Sequence, residues 1–178
     1  MSESIIYRHD CQITPAQDEA LRELFRVCFK REAAYLNHQR FFRELPPHRW
    51  VIFDENQNIV AHVAVYDKIL STDAGLLPVA GIAEVCVAPE YRGRGHVRAM
   101  LNEIHDWARA QGFSWSMLFG AHAIYGSSGY ETIYNPIRAL DYQTGEWKTE
   151  QLTYALARAL NDGAIWPNGT IDLRGPHF

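Results

Sequence analysis

Residues 78–112 pass from an almost wholly apolar segment, PVAGIAEVCVA, through PEYRGRG into HVRAMLNEIHDWARAQG. A short apolar run bounded by prolines is the pattern of a strand covered on both faces. From Gly95 the apolar period lengthens to that of a helix. Val97, Met100, Leu101, Ile104, Trp107 and Ala108 share one stripe, and Arg98, Asn102, His105 and Arg109 take the other side. Arg109 in the last turn suits the helix dipole, and Gly112 supplies a C-terminal stop. FSWSMLFG follows as a second buried strand, so the chain contains a β-α-β crossover with a parallel strand pair.

The turn inside this unit holds Arg92, Arg94 and Arg98 with Gly93 and Gly95 in ten residues, although the chain carries a formal net charge of −4. A glycine turn leading into a helix presents backbone N–H groups at the positive end of the helix dipole. Glycine lets the backbone approach a ligand without a Cβ in the way, and arginine adds charge-assisted contacts. Together these features predict a phosphate cradle. A nucleotide P-loop is excluded because the chain has no Gly-Lys-Ser/Thr, and the third glycine of a dinucleotide fingerprint is replaced by Arg98. The bland alternative is a solvated basic turn, and the strand before it and the striped helix after it weigh against that.

The remaining elements complete an α/β layer. SIIYRHDCQ reads as a strand. ITPAQDEALRELFRVCF reads as a helix with Thr14 as N-cap, Pro15 at the first helical position and Gln17 closing a capping box. EAAYLNHQRFFREL reads as a second helix stopped by Pro46-Pro47. RWVIF and IVAHVAVYDKIL flank the polar turn DENQN as a hairpin. AHAIYGSSG predicts a short helix, YETIYN and IRALDYQ predict strands, and QLTYALARAL reads as a strand through its alternating Leu152, Tyr154 and Leu156.

At 178 residues the chain is expected to form one domain, 1–178, with a core that needs no staples. Its acidic balance argues against nucleic acid as a partner, and no apolar run reaches the roughly 20 residues of a membrane helix. Cys11, Cys28 and Cys86 form neither a disulfide framework nor a metal motif, and the start MSESIIYRHD lacks a signal-peptide pattern. The expectation is a soluble cytoplasmic protein without a metal.

APEYRGRGHVRAML followed by GAHAIYGSSGYET resembles the GNAT superfamily of acyl-CoA-dependent N-acyltransferases. The family's pyrophosphate motif maps onto Arg92, Gly95 and Val97, where Val97 and the neighbouring His96 depart from its usual residues. The resemblance implies a mixed, mostly antiparallel sheet of about six to seven strands flanked by helices. It also implies acetyl-CoA as acyl donor, held by Arg92, Gly93, Arg94, Gly95, His96 and Val97, with main-chain groups of Val85, Cys86 and Val87 along the pantetheine arm and supplying the oxyanion donor. IVAHVAVYDKIL is similar to aminoglycoside 2′-N-acetyltransferases, and WPNGTIDLRGP to the tail of the nodulation acyltransferase of chitooligosaccharides. The implied acceptor is a small-molecule amine, an amino-sugar first. A homodimer stays open.

The chemistry so implied is attack of an amine on a thioester. Neutralising an alkylammonium of pKa near 10.4 at pH 7 costs about 4.6 kcal/mol, so a base is wanted. Glu84 is the only carboxylate of the apolar strand, and burial would lift its pKa towards a useful value. The other reading of Glu84 is a structural partner of an arginine. The family's acidic residue often sits one position further from the loop, and one step in a strand reverses the face unless a bulge intervenes. Tyr125, in YGSSGY, matches the family tyrosine beside the coenzyme sulfur and is the candidate acid. Two alternatives remain: a longer acyl group delivered by a carrier protein, and a non-catalytic acyl-CoA-binding module.

Overall fold

A computed structural model describes residues 4–30 and 33–178. Its residues group into two compact units, one from the chain up to Val65 with Ala83–Ile104, the other from Tyr66–Ile82 with His105–Phe178.

In the first unit, β1 (Ile5–His9) pairs antiparallel with β2 (His48–Phe53), and β2 pairs antiparallel with residues 59–65 of β3 (Ile59–Thr72). The DENQN turn closes because Asp54 accepts from the N–H groups of Asn56 and Asn58 at 2.9 and 2.8 Å, while Gln57 takes the left-handed φ of 66°. Helix α1 (Pro15–Cys28) starts as its sequence predicts. The Thr14 hydroxyl accepts from the Gln17 N–H at 3.3 Å, and the Gln17 side chain accepts from the Thr14 N–H at 3.1 Å. Its Leu21, Leu24 and Phe25 pack with Val51, Ile59, Cys86 and Ala88 in one core. Each Leu, Ile, Val or Phe among them contributes about 1.5–3 kcal/mol when fully buried.

The second helix is much shorter than expected. Only Ala33–Leu36 are helical (α2), and Glu32 of the expected segment lies outside the described residues. The backbone groups beyond Leu36 are claimed by other partners. The Gln39 side chain donates to the carbonyls of Phe41 and Phe42 at 2.7 and 3.2 Å, and the Phe42 N–H donates to the Glu84 carboxylate at 3.1 Å instead of to a helical carbonyl.

The second unit contains the turn-side part of β3 and the first part of β4 (Gly75–Val87). Val79–Ile82 of β4 pair parallel with β5 (Trp115–Phe119), as the crossover requires. β6 (Glu131–Thr132), β7 (Pro136–Leu140), β8 (Trp147–Gln151), β9 (Ala155–Ala159) and β10 (Ile171–Asp172) complete the order β6-β9-β5-β4-β3-β10-β7-β8. Of these pairs, β4–β5 and β10–β7 are parallel. Leu70, Val79, Trp115, Met117, Ile137 and Ile171 sit in its core.

Ten strands occur among the described residues, against about six to seven expected. Two of them have no counterpart in the sequence pattern: β10 has only two residues, and all five residues of β8 are exposed, so no apolar alternation marks it. The QLTYALARAL segment splits, with Gln151 ending β8 and Ala155 opening β9. No helix among the described residues is long and apolar enough to cross a membrane.

Candidate active site

β4 ends at Val87, and a 3-10 turn, Pro89–Tyr91, leads to Arg92. Gly93 and Gly95 take φ of 76° and 82°, and a Cβ on either would meet nothing within 4 Å. Both are glycine because of the left-handed backbone, and the space beside them stays open for a ligand. The Gly95 carbonyl accepts from the Ala99 N–H at 3.0 Å, which makes Gly95 the cap of α3 (His96–Ala110). The N–H groups of His96, Val97 and Arg98 therefore form the first turn of a 15-residue helix and have no acceptor inside it. Arg92, Arg94 and Arg98 are exposed around this turn. Arg92 Nε donates to the Val87 carbonyl at 3.1 Å, and the Arg94 guanidinium lies 4.6 Å from the Tyr91 ring centre. This geometry fits a diphosphate: open space beside both glycines, donors at a helix start and exposed positive charge.

Glu84 lies within β4, three residues before Val87, and takes a left-handed φ of 50°. A non-glycine residue in that conformation stores strain, so the surroundings have to hold it there. They do so at both of its ends. His62 Nδ1 lies 2.9 Å from the Glu84 carbonyl, while His62 Nε2 lies 3.0 Å from Arg49 Nη1. An arginine can only donate, so Nε2 is the acceptor and Nδ1–H donates to Glu84. Burial, reinforced by the Arg49 charge, pushes the His62 pKa well below its ordinary value and keeps the ring neutral.

The Glu84 side chain is only 3% exposed. One oxygen accepts from the Phe42 N–H at 3.1 Å and the other faces Arg49 Nη1 at 3.3 Å. Arg49 is itself fully buried and also donates to Asp10 at 2.6 Å and to the Arg40 carbonyl at 3.0 Å. Arg40 closes the cluster with bonds to Asp10 and Asp18. Burial alone would lift the Asp10 carboxyl, but hydrogen bonds from Arg40 and Arg49 outweigh it and hold the pKa below its ordinary value. At Glu84 the balance falls the other way. Burial dominates the Arg49 charge and the Phe42 bond, and the pKa rises to about 7. Glu84 is thus both an arginine partner and a carboxylate half-protonated near neutrality. Glu84 stands out in the sequence as the lone carboxylate of its strand, but Asp10, Arg40, Arg49 and His62 carry no motif that links them to it.

Tyr125 belongs to the second unit, at the end of α4 (His122–Tyr125), which a 3-10 turn and Gly129 at φ 80° follow. Two neighbours fix its ring. A Cβ on Gly120 would come within 2.5 Å of it, so only glycine fits at that position. Tyr130 meets it edge-on with ring centres 6.3 Å apart. Tyr130 is itself anchored. The Ser116 hydroxyl donates to the Ala80 carbonyl at 3.1 Å, so it accepts from the Tyr130 hydroxyl at 2.7 Å, which in turn accepts from His105 Nε2 at 2.9 Å. Burial holds His105 neutral, with a pKa of about 3. Gly120 and Ser116 carry no signal in the sequence, Tyr130 closes the YGSSGY motif, and His105, expected on the polar side of its helix, is instead buried, 1% exposed.

Residues 12–133 match the family model described as an acetyltransferase (GNAT) domain, which covers more than half of the chain. The chain belongs to the GNAT acetyltransferase family. A 74-residue stretch is 38% identical to the N-acetyltransferase Eis of Mycobacterium tuberculosis, covering 40% of this chain and only 18% of that relative. The fold is that of a GNAT family N-acetyltransferase (YhbS) from Escherichia coli solved with CoA, with a TM-score of 0.68, 18% identity and coverage of 97% of this chain and 91% of that one. A GNAT family acetyltransferase from Brucella melitensis solved with acetyl-CoA gives a TM-score of 0.62 at 16% identity, covering 96% of each chain.

Proposed function

We propose that this protein transfers an acetyl group from acetyl-CoA to a primary amine of a small molecule, by direct attack in a ternary complex. The observation that carries the proposal is the left-handed Glu84, with its pKa near 7, three residues before the end of a strand that feeds the glycine–arginine turn. Family membership and the relatives solved with CoA and acetyl-CoA support the choice of donor.

In this scheme the coenzyme diphosphate lies against the turn of Arg92, Gly93, Arg94 and Gly95 and the first N–H groups of α3, at His96 and Val97. Main-chain groups of Val85, Cys86 and Val87 bind the pantetheine arm and supply the donor that stabilises the oxyanion. Glu84 takes the proton released by the attacking amine, through water where the side chain does not reach it. The nitrogen attacks the thioester carbon, the tetrahedral intermediate collapses, and the carbon–sulfur bond breaks. Tyr125 gives its hydroxyl proton to the departing thiolate. Amino-sugars are the acceptors proposed first, on the similarity of residues 59–70 and 166–176 to enzymes that acylate them. The cysteines carry no disulfide, which suits a reducing, cytoplasmic setting.

Calorimetric titration with CoA, and thiol release from acetyl-CoA with a panel of amines and amino-sugars, test the proposal. Saturable CoA binding with amine-dependent thiol release is the expected result. Binding without turnover on any amine would leave an acyl-CoA-binding module, and turnover only with an acyl carrier protein would move the donor to longer chains. Folded protein with no affinity for CoA would end the proposal.

A further inference from the structure

Cys28, the last residue of α1, reaches across to β4, where its Sγ lies 3.4 Å from the Val87 carbonyl oxygen. Cys28 also packs against the core cluster that holds Cys86, the residue before Val87, and the two thiols bear on each other's pKa. Both belong to the core that α1 forms with the end of β4. The Val87 carbonyl is shared with Arg92 Nε at 3.1 Å, so the thiol pair touches the first residue of the glycine–arginine turn. Cys28 is partly exposed and Cys86 is buried. That pairing of an accessible sulfur with a shielded one is the layout of an attacking and a resolving cysteine.

We propose that Cys28 and Cys86 form a reversible peroxide-sensitive dithiol whose oxidation weakens coenzyme binding at the adjacent turn. The Cys28 thiolate attacks one oxygen of hydrogen peroxide, breaking the O–O bond. This gives a sulfenic acid and hydroxide, which takes up a proton to become water. The Cys86 sulfur then attacks the sulfenic sulfur. An S–S bond forms, the S–O bond breaks, and the hydroxyl leaves with the Cys86 proton as a second water. The two thiols are oxidised by two electrons and the peroxide is reduced. A bond to Cys86 and the neighbouring Arg92 draw the Cys28 pKa down to about 7, which supplies thiolate at neutral pH. Burial pushes the Cys86 thiol up, so it waits protonated until a sulfenic acid is beside it.

Closing the two sulfurs to a bond of about 2 Å pulls the Cys86 main chain towards α1. It also removes one of the donors on the Val87 carbonyl and leaves Arg92 more firmly held on it. The consequence for coenzyme rests on the turn being its binding site; the disulfide itself does not.

A Cys11→Ser parent removes the third, exposed thiol and is treated with hydrogen peroxide at pH 7, alkylated and digested. The expected result is a protein lighter by two hydrogens, with the Cys28 and Cys86 peptides cross-linked and restored by dithiothreitol. CoA affinity should fall about tenfold on oxidation, the worth of one lost bond to a charged group. Adding Cys28→Ser should abolish both the cross-link and the affinity change. Peptides that stay alkylatable, or Cys28 driven to sulfinic acid without a cross-link, would overturn the dithiol. A cross-link with unchanged CoA affinity would overturn the coupling. Reduced protein that binds no CoA would instead refute the coenzyme site and leave the mass measurement to decide on the dithiol.

Discussion

Replacing Arg49 with Met separates the proposed role of Glu84 as a base from its role as an ion-pair partner. Arg49 is fully buried and faces a Glu84 carboxylate oxygen at 3.3 Å. Its charge and its bond both lower the Glu84 pKa, which burial still holds at about 7. A hydrogen bond to a charged group is worth about 1.5–3 kcal/mol and one pKa unit about 1.4 kcal/mol, so losing Arg49 should raise Glu84 by about one to two units. Asp10 remains nearby and acts in the same upward direction. At pH 7 the ionised fraction of Glu84 then drops about five- to fiftyfold, and turnover should drop with it. The assay is thiol release from saturating acetyl-CoA across pH 6–10, with an acceptor amine that is neutral throughout. The acid limb should move from about pH 7 in the parent to higher pH, with rates converging on the alkaline side. Arg49→Lys retains the charge and should leave the limb near its original position. Breaking a buried pair costs about 3–5 kcal/mol of stability, so thermal melts have to establish the folded range first. An acid limb that stays put, or moves to lower pH, would refute a proton-accepting Glu84.

The stability of the protein itself should respond to Glu84. Its pKa rises on folding from the ordinary 4.5 to about 7, so the folded state retains a proton that the unfolded state releases. This contribution is intact below pH 4.5 and is lost as pH rises through about 7. Denaturant melts should therefore show Glu84→Gln gaining stability over the parent at pH 8 and little at pH 4.5, and an equal gain at both would contradict a lifted pKa. Tyr125→Phe keeps the ring that packs on Tyr130 and removes only the hydroxyl. Turnover should fall by more than CoA affinity, and an equal or larger loss of affinity would contradict an acid role. Gly120→Ala introduces a Cβ 2.5 Å from the Tyr125 ring and should lower turnover with little effect on CoA affinity. Full activity would show that Tyr125 need not sit where it does.

How much of this was legible in the sequence depends on how local the cause is. The Thr14–Gln17 capping box, the Asp54 turn and the glycine-capped start of α3 each depend on residues within a few positions of one another. The glycine–arginine turn and its family resemblance were legible for the same reason, since strand, turn and helix are consecutive. The short α2 was not, because the Phe42 N–H is satisfied by Glu84, a residue 42 positions away. Helix propensity says nothing about a distant acceptor. The orientation of Glu84 was equally hidden. Strand alternation gives two faces, and only a left-handed residue held by His62 and Arg49 offers a third option.

The sequence alone determined the crossover and the glycine–arginine turn, and the family resemblance added the acid candidate Tyr125. The crossover and the turn follow from period, glycine and charge, which are properties of neighbouring residues. Tertiary structure decided the state of those groups. A carboxylate with a pKa near 7, a neutral His62 with its proton on Nδ1, and a Cys28 thiol on the Val87 carbonyl all depend on burial and on partners brought together from distant segments. Desolvation and Coulomb forces act through space, and only the folded chain sets those distances.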